Sequence, residues 1–338
     1  MLTHARPRRV LIIALVTHGV AILARGQDTS PRFTTPIDIP RYALVVAAEN
    51  YAHFSHVPNA QNDAIQMEKA LTAVGFNVRF LPDPTDKDIY SFANELAARG
   101  GTEVQPVIYV VYFAGHGFQN SAFNYIVPVN ADPTDLLDTS VPVTSLLNKL
   151  VTHTAGIAIF LFDSCRTGVT AESHKEPTVS PTGEVGFAPI PERSGAILGL
   201  AAEFGKPARS AAVGGDSDSP YAMGLMQYIP LKALSLHEVF EQVRLFVRGR
   251  THSGQTPYEV NGANVAFFQL SPTAGQLADD ERLWQEVLAT NRVDCVKRYI
   301  ENRPGGRYVQ AAVDWLAARQ SQSVEGESPC PDDPLFGR

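Results

Sequence analysis

Residues 106–117 read PVIYVVYFAGHG, and residues 156–165 read GIAIFLFDSC. Each stretch opens with a nearly continuous apolar run, which is typical of a strand buried on both faces of a parallel sheet. Each run ends in short polar residues, with His116 after the first and Asp163 and Cys165 at the end of the second. Because the carboxyl ends of parallel strands meet at one edge of a sheet, the two stretches predict an active site at that edge.

Strand and helix patterns alternate on both sides of these runs. Strands are predicted at 42–48, 76–81, 196–202 and 264–270. One helix is predicted to begin at an N-cap formed by Asn62 and Asp63 and to end at Gly75. Further helices are predicted at 85–99, around 146–151, at 221–228 and at 236–247. This alternation predicts an α/β fold over residues 42–271, in which a mostly parallel sheet is sandwiched by helices.

Cysteine catalysis needs a thiolate, a base within hydrogen-bond reach and N–H donors for the oxyanion. Cys165 and His116 supply the thiolate and the base if their strands are neighbours in the sheet. The glycines beside His116 let the backbone approach a substrate, so the N–H groups of Gly117 and Cys165 are the predicted oxyanion donors. Taken singly, such a histidine is often a packed polar group, and a lone cysteine is often a small buried hydrophobe. The pattern identifies no third residue that orients the histidine.

The segments YFAGHGFQ at 112–119 and FLFDSCRTG at 160–168 resemble the histidine and cysteine motifs of the caspase-like peptidases. The triplet DSC is closer to metacaspases and their bacterial relatives than to animal caspases. Further matches are NDA at 62–64, FNYIVPVNA at 123–131, SPYAMGLM at 219–226 and GQTPYE at 254–259. The resemblance spans residues 42–270 and implies a caspase-like fold and a cysteine endopeptidase with His116 and Cys165 as the catalytic pair.

The resemblance also implies a substrate preference. In the metacaspase and paracaspase branch, acids that match Asp63 and Asp163 line the primary specificity (S1) pocket and select Arg or Lys, whereas animal caspases carry Gln and Arg there and select Asp. A guanidinium that binds carboxylates through charge-assisted, bidentate hydrogen bonds explains this preference. The plainer alternative is that the first acid only caps a helix and the second only caps a strand end.

The first strand of this chain departs from the family pattern. The first strand of the family ends in Gly-Asn, but Ala48 and Glu49 stand here, so the geometry of the loop that follows is open. Many metacaspases need calcium, but the acids Asp132, Asp135 and Asp138 do not match that site, so we predict no metal and no cofactor.

The alternative function is a catalytically silent caspase-like domain that binds or scaffolds other proteins.

Residues 1–26 combine basic residues, an apolar run from Val10 to Leu23 and small residues at Ala24 and Gly26. This pattern predicts a signal peptide, followed by a linker at 27–41, and therefore an exported protein in the periplasm or the medium. A membrane association is expected only if the signal stays uncleaved, because the run is shorter than a spanning helix. The formal net charge of −7 and the absence of a Gly-rich phosphate loop argue against nucleic-acid and nucleotide binding.

Residues 278–338 carry a different pattern, a helical hairpin followed by a tail. Its helices are predicted at 280–289, 295–302 and 308–318. Export favours disulfides, and Cys295 and Cys330 both lie in this small module, so we predict that they pair and leave Cys165 reduced. The module resembles a helical repeat that follows bacterial caspase-like domains and is a candidate docking surface for a protein partner.

Overall fold

The computed structural model describes residues 34, 38–99, 106–121, 123–151, 156–164, 187–191, 195–209, 218–262, 268–303, 305–319 and 329–332. The predicted signal peptide, most of the predicted linker and Cys165 lie outside this part of the chain.

The centre of the fold is a six-stranded sheet with the order β2-β1-β3-β7-β8-β9. Its strands are β1 (Arg41–Ala47), β2 (Asn77–Pro82), β3 (Ile108–Ala114), β7 (Ile157–Asp163), β8 (Ala196–Leu200) and β9 (Tyr258–Asn261). The first five strands are parallel, and only β9 runs antiparallel to its neighbour β8. The predicted α/β fold with a mostly parallel sheet is therefore confirmed.

β3 and β7 are the two apolar runs of the sequence, and every residue of both strands is buried. They are hydrogen-bonded neighbours, and their register places Ala114 opposite Asp163. His116 and Ser164, which follow the two strands, therefore leave the sheet at the same edge.

Helices cover the sheet on two faces. They are α1 (Ala60–Ala73), α2 (Asp86–Arg99), α3 (Val143–Leu150), α4 (Pro220–Tyr228) and α5 (Leu236–Arg250). The chain crosses from β1 to β2 in one direction and from β2 to β3 in the other, so right-handed crossovers place α1 and α2 on opposite faces. In agreement with this arrangement, α1 contacts α4, α4 contacts α5, and α2 contacts α3.

One small sheet was not predicted, and one predicted strand stays largely untested. After His116 the chain forms a three-stranded antiparallel sheet of β4 (Gly117–Asn120), β5 (Phe123–Ile126) and β6 (Val141–Pro142), which the sequence analysis missed because these strands are very short. The predicted strand at 264–270 lies largely outside the described residues, and Gln269 makes only an isolated bridge to Ser235. The described antiparallel edge strand is β9.

The N-cap prediction for α1 is wrong. The helix begins at Ala60, and its N-cap is Asn59, with a φ of 75°. Asp63 therefore lies inside the first turn. Its carboxylate does not cap this helix but reaches Ser219, directly before α4.

The C-terminal module consists of α6 (Ala274–Thr290), α7 (Val293–Asn302) and α8 (Val309–Ala317). Its centre is aromatic, since Trp284, Tyr299, Tyr308 and Trp315 are all buried. The structure joins Cys295 of α7 to Cys330 of the tail by a disulfide. The α7–α8 turn packs against the α/β domain, because a Cβ added to Gly305 would lie 2.0 Å from the Phe268 ring. Among the described residues, no helix is long and apolar enough to cross a membrane.

Candidate active site

His116 is held by a backbone group that the sequence analysis could not identify. The residue follows β3 and is only 3% exposed. Its Nε2 lies 2.7 Å from the backbone oxygen of Ser55 and 3.3 Å from Ser55 Oγ. A carbonyl oxygen only accepts hydrogen bonds, so the shorter contact requires a proton on Nε2. In the neutral ring Nδ1 is then the basic nitrogen.

Tyr51 supports the same histidine from a second side. Its hydroxyl accepts the backbone N–H of His116 at 2.8 Å and donates to the carbonyl of Val127 at 3.1 Å. Its ring centroid lies 4.7 Å from that of the imidazole. A Cβ added to Gly115 would lie 2.7 Å from the tyrosine hydroxyl, so this close approach requires a glycine before the histidine. Both the backbone and the ring of His116 are thus positioned.

The loop that carries Tyr51 and Ser55 begins at the residues where this chain departs from the family pattern. Asp83 anchors it, because Asp83 Oδ1 accepts the N–H groups of Glu49 at 2.8 Å and Asn50 at 2.9 Å. These hydrogen bonds lower the pKa of Asp83 although burial raises it. The Val57 N–H closes the loop by donating to the Glu49 carbonyl at 3.1 Å. The geometry that the sequence left open is therefore a closed loop tied to the end of β2.

Cys165 lies outside the described residues, and the chain before it is described as far as Ser164. A Cβ added to Gly117 would lie 2.2 Å from Ser164 Oγ. Only a glycine allows the two segments to approach this closely. The sheet therefore brings the residue directly before Cys165 against the residue directly after His116.

The two candidate specificity acids are brought together around Ser219. The Ser219 N–H donates to the carboxylate oxygens of Asp63 at 3.1 and 3.3 Å, and its hydroxyl donates to Asp163 Oδ2. The two acids are 3% and 6% exposed, respectively. Tyr112 also donates its hydroxyl to Asp163 at 3.3 Å. One serine thus joins two buried carboxylates from α1 and β7.

The electrostatics of this pair are unfavourable when no cation is bound. Burial, and next the charge of Asp163, raise the pKa of Asp63 to about 9. Asp218 adds to this effect and is itself hydrogen-bonded to Asn62. Asp63 is therefore protonated at neutral pH in the empty site, and a bound cation would favour its ionised form.

Sequence reasoning missed Ser219 and Asp218 as parts of this acidic cluster. A serine directly before a proline is a common helix start, and this pattern could have indicated the position of Ser219. In the structure, Ser219 Oγ also accepts the Ala222 N–H at the start of α4. Nothing in the spacing indicated that the same serine contacts both acids.

The described residues offer little to a metal ion. Asp132 caps the short 3₁₀ helix Pro133–Asp135 by accepting from Thr134. In the described part of the chain, the one set with metal-like spacing is Asp294, Cys295 and Cys330, and both of its sulfurs belong to the disulfide.

Comparisons with known proteins concern the family and the fold of this chain. A family model described as "Caspase domain" matches residues 40–268. The human protein named mucosa-associated lymphoid tissue lymphoma translocation protein 1 is 25% identical over 134 residues, which are 39% of this chain and 16% of that protein. Its mouse homologue is 24% identical over 142 residues, or 41% of this chain and 16% of the homologue. The chain thus spans a small part of the length of these curated relatives.

Among solved structures, caspase-1 from Spodoptera frugiperda superposes with a TM-score of 0.52 at 13% identity. The superposition covers 73% of this chain and 96% of that one. At this identity the likeness concerns the fold: a sheet of mostly parallel strands with helices on both faces.

Proposed function

The chain belongs to the caspase domain family, and on this premise we propose that it is a cysteine endopeptidase that hydrolyses peptide bonds after Arg or Lys. Cys165 is the proposed nucleophile and His116 its base. The observation that carries the proposal is the placement of His116, whose ring is oriented by Ser55 and Tyr51 beside the end of the strand that leads into Cys165.

The first half of the proposed reaction transfers the acyl group to the enzyme. His116 Nδ1 takes the proton of the Cys165 thiol, and the sulfur attacks the scissile carbonyl carbon. The carbonyl electron pair moves onto the oxygen, and the N–H groups of Gly117 and Cys165 are the proposed donors to that oxyanion. When the tetrahedral species collapses, the leaving amine takes the proton from the imidazolium, and a thioester remains.

Water completes the cycle. His116 Nδ1 takes a proton from the water, the hydroxyl adds to the thioester carbonyl, and the C–S bond breaks. The thiolate regains the proton from the imidazolium, and the peptide leaves with a new C-terminal carboxylic acid, which loses its proton to water. The Ser55 carbonyl supports both halves, because it keeps Nε2 protonated and stabilises the imidazolium through the same hydrogen bond.

The preference for Arg or Lys rests on Asp63 and Asp163. The Asp163 carboxylate attracts a cationic side chain and repels an acidic one, and Asp63 adds a second negative charge once a cation favours its ionised form. The raised pKa of Asp63 supports this proposal, because a second anion in the pair is stable only when a cation enters. Arg is expected to outperform Lys, since its planar fork can engage both carboxylates.

A cysteine-directed activity probe and a peptide library test the proposal on the mature protein. We expect Cys165→Ala to abolish labelling, His116→Ala to weaken it, and the library to show Arg over Lys with Asp disfavoured. Labelling without turnover on any peptide would favour the silent binding domain instead. A preference for Asp or apolar residues would overturn the pocket assignment but not the catalytic pair.

An exported location is part of the proposal. The Cys295–Cys330 disulfide supports it, because disulfides persist mainly outside reducing cytoplasm. Fractionation of the source cells, with N-terminal sequencing of the mature protein, tests for cleavage near Gln27.

A further inference from the structure

A cavity of about 380 Å³ lies at the junction between the peptidase domain and the C-terminal module. We call it the junction pocket. It is lined by Arg41 of β1, Phe268, the first two turns of α6 with Leu277 and Asp280, and the α7–α8 turn with Arg307. Its volume is in the usual range for small-ligand sites. The site lies at the amino end of β1, whereas the catalytic residues follow the carboxyl ends of the strands.

Arg41 is a partly buried cation without a matching acid in contact. Its Nη1 donates to the carbonyls of Val74 at 2.7 Å and Leu270 at 2.6 Å. Its guanidinium lies 5.8 and 6.0 Å from the ring centroids of Phe76 and Phe268. Within the described ranges, its guanidinium makes no ion pair shorter than 4 Å and no other hydrogen bond. Burial lowers its pKa, although the charge of Asp38 raises it.

The other charged residues of the junction pocket differ in how far they are already paired with each other. Arg303 is paired with Asp280 at 3.7 Å, and the same carboxylate accepts from Tyr299 Oη and from the Arg307 N–H, both at 3.0 Å. Asp280 is therefore engaged within the module. Its role is to hold the turn that forms one wall, and it does not neutralise Arg41.

Asp38 is the acid that faces the remaining cations. Its carboxylate lies 3.3 Å from Arg307 Nε and is close enough to raise the pKa of Arg41. Its side chain is 90% exposed, so this contact is a surface ion pair of small stabilising effect. An external carboxylate can therefore replace it at little cost.

We propose that the junction pocket binds a ligand that carries a single carboxylate next to an apolar group. The carboxylate lies between Arg41 and Arg307, and the apolar group packs against Phe268 and Leu277. Three guanidinium groups and two carboxylates line the pocket, so one bound carboxylate balances its charge. Arginine binds carboxylates through paired N–H donors, and three of the five N–H donors of Arg41 are not used by the described residues. The ligand would also stabilise the docking of the module, because it touches both sides of the junction.

The test uses the full mature chain with Cys165→Ala, titrated calorimetrically at constant ionic strength with N-acetylleucine, N-acetylleucinamide and acetate. We expect N-acetylleucine to bind, acetate to bind more weakly because it lacks the apolar part, and the amide to bind about tenfold more weakly or not at all. Titration with a peptide that has a free C-terminal leucine distinguishes two sources of the carboxylate, peptide C-termini and free small molecules. Tighter binding than N-acetylleucine points to peptide C-termini, and weaker binding points to free small carboxylates.

Two variants should weaken the binding of N-acetylleucine, and a third should strengthen it. Arg307→Gln and Arg41→Gln should each weaken N-acetylleucine binding about tenfold or more, whereas Asp38→Asn should strengthen it a few-fold by removing the internal competitor. Arg282→Gln is the matched control, since Arg282 pairs with Asp279 and Glu286 on the surface of α6 outside the pocket. If Arg41→Gln fails to fold, the half-exposed Arg307 decides the question. Equal binding of acid and amide, or unchanged binding by Arg307→Gln, would overturn the proposal.

Discussion

Nε2 of His116 lies 2.7 Å from the backbone oxygen of Ser55, and this contact assigns the two ring nitrogens to different tasks. Nε2 keeps its proton and anchors the ring, and in the proposed mechanism Nδ1 is the nitrogen that exchanges protons with Cys165. The Ser55 carbonyl oxygen thus stands where an acidic side chain orients the histidine of a Ser-His-Asp triad. Since the acceptor is a backbone atom, the loop that carries it must itself be held in place, and Tyr51 and Asp83 do so.

Tyr51→Phe tests that positioning. The variant removes the acceptor of the buried His116 N–H, and an unsatisfied buried N–H costs about 1–3 kcal/mol. We expect kcat/KM to fall about tenfold, mostly through kcat, together with a slower reaction of Cys165 with iodoacetamide. Tyr228→Phe on α4 is the control and should retain both rates. Wild-type rates in Tyr51→Phe would mean that Ser55 alone suffices to orient the ring.

Asp163→Asn tests the specificity pocket. The change keeps the side-chain shape but removes one charge-assisted contact worth roughly 1.5–3 kcal/mol. We expect kcat/KM on Arg substrates to fall about ten- to more than a hundredfold, while the labelling of Cys165 by an alkylating probe persists. An Asp163→Asn enzyme as active on Arg substrates as the wild type would refute the role of this acid.

The raised pKa of Asp63 predicts a pH dependence of specificity. A bound Arg side chain favours the ionised form and lowers the pKa of Asp63, so between that lower pKa and pH 9 binding releases a proton. The ratio of kcat/KM for an Arg substrate to that for the matching citrulline substrate should therefore rise with pH, by at most about tenfold per unit, and level off near pH 9. The ratio cancels the titration of the catalytic pair. Asp63→Asn should show no such rise, and a flat ratio in the wild type would contradict the assignment.

The disulfide predicts a redox-dependent stability of the C-terminal module. Cys295 and Cys330 are separated by 35 positions, and closing such a loop stabilises the fold by roughly 3–4 kcal/mol in the chain-entropy model. The double variant Cys295→Ser, Cys330→Ser should lose about this free energy of unfolding in urea and become insensitive to reductant. Wild type in reductant should match it. Equal stability of oxidised and reduced wild type would show that the bond is not formed or not stabilising.

Much of the fold could be predicted because local patterns carried it. The apolar runs before His116 and Cys165 predicted buried parallel strands, and the register of β3 and β7 confirms that these strands are neighbours. Short strands with few apolar residues, such as β4 to β6, were missed because four residues or fewer carry no periodicity. The same limit explains why β9 was not predicted.

By itself, the sequence determined the fold class and the residues that can do chemistry, because both depend on side-chain type and spacing. Only the tertiary structure decided how those residues are held. Ser55 contributes a backbone oxygen, which no residue type reveals. Ser219 reaches Asp63 across 156 positions and Asp163 across 56, distances over which a sequence pattern carries no geometric information. A site that depends on backbone acceptors and on contacts distant in the chain becomes visible only after the sheet has brought its strands together.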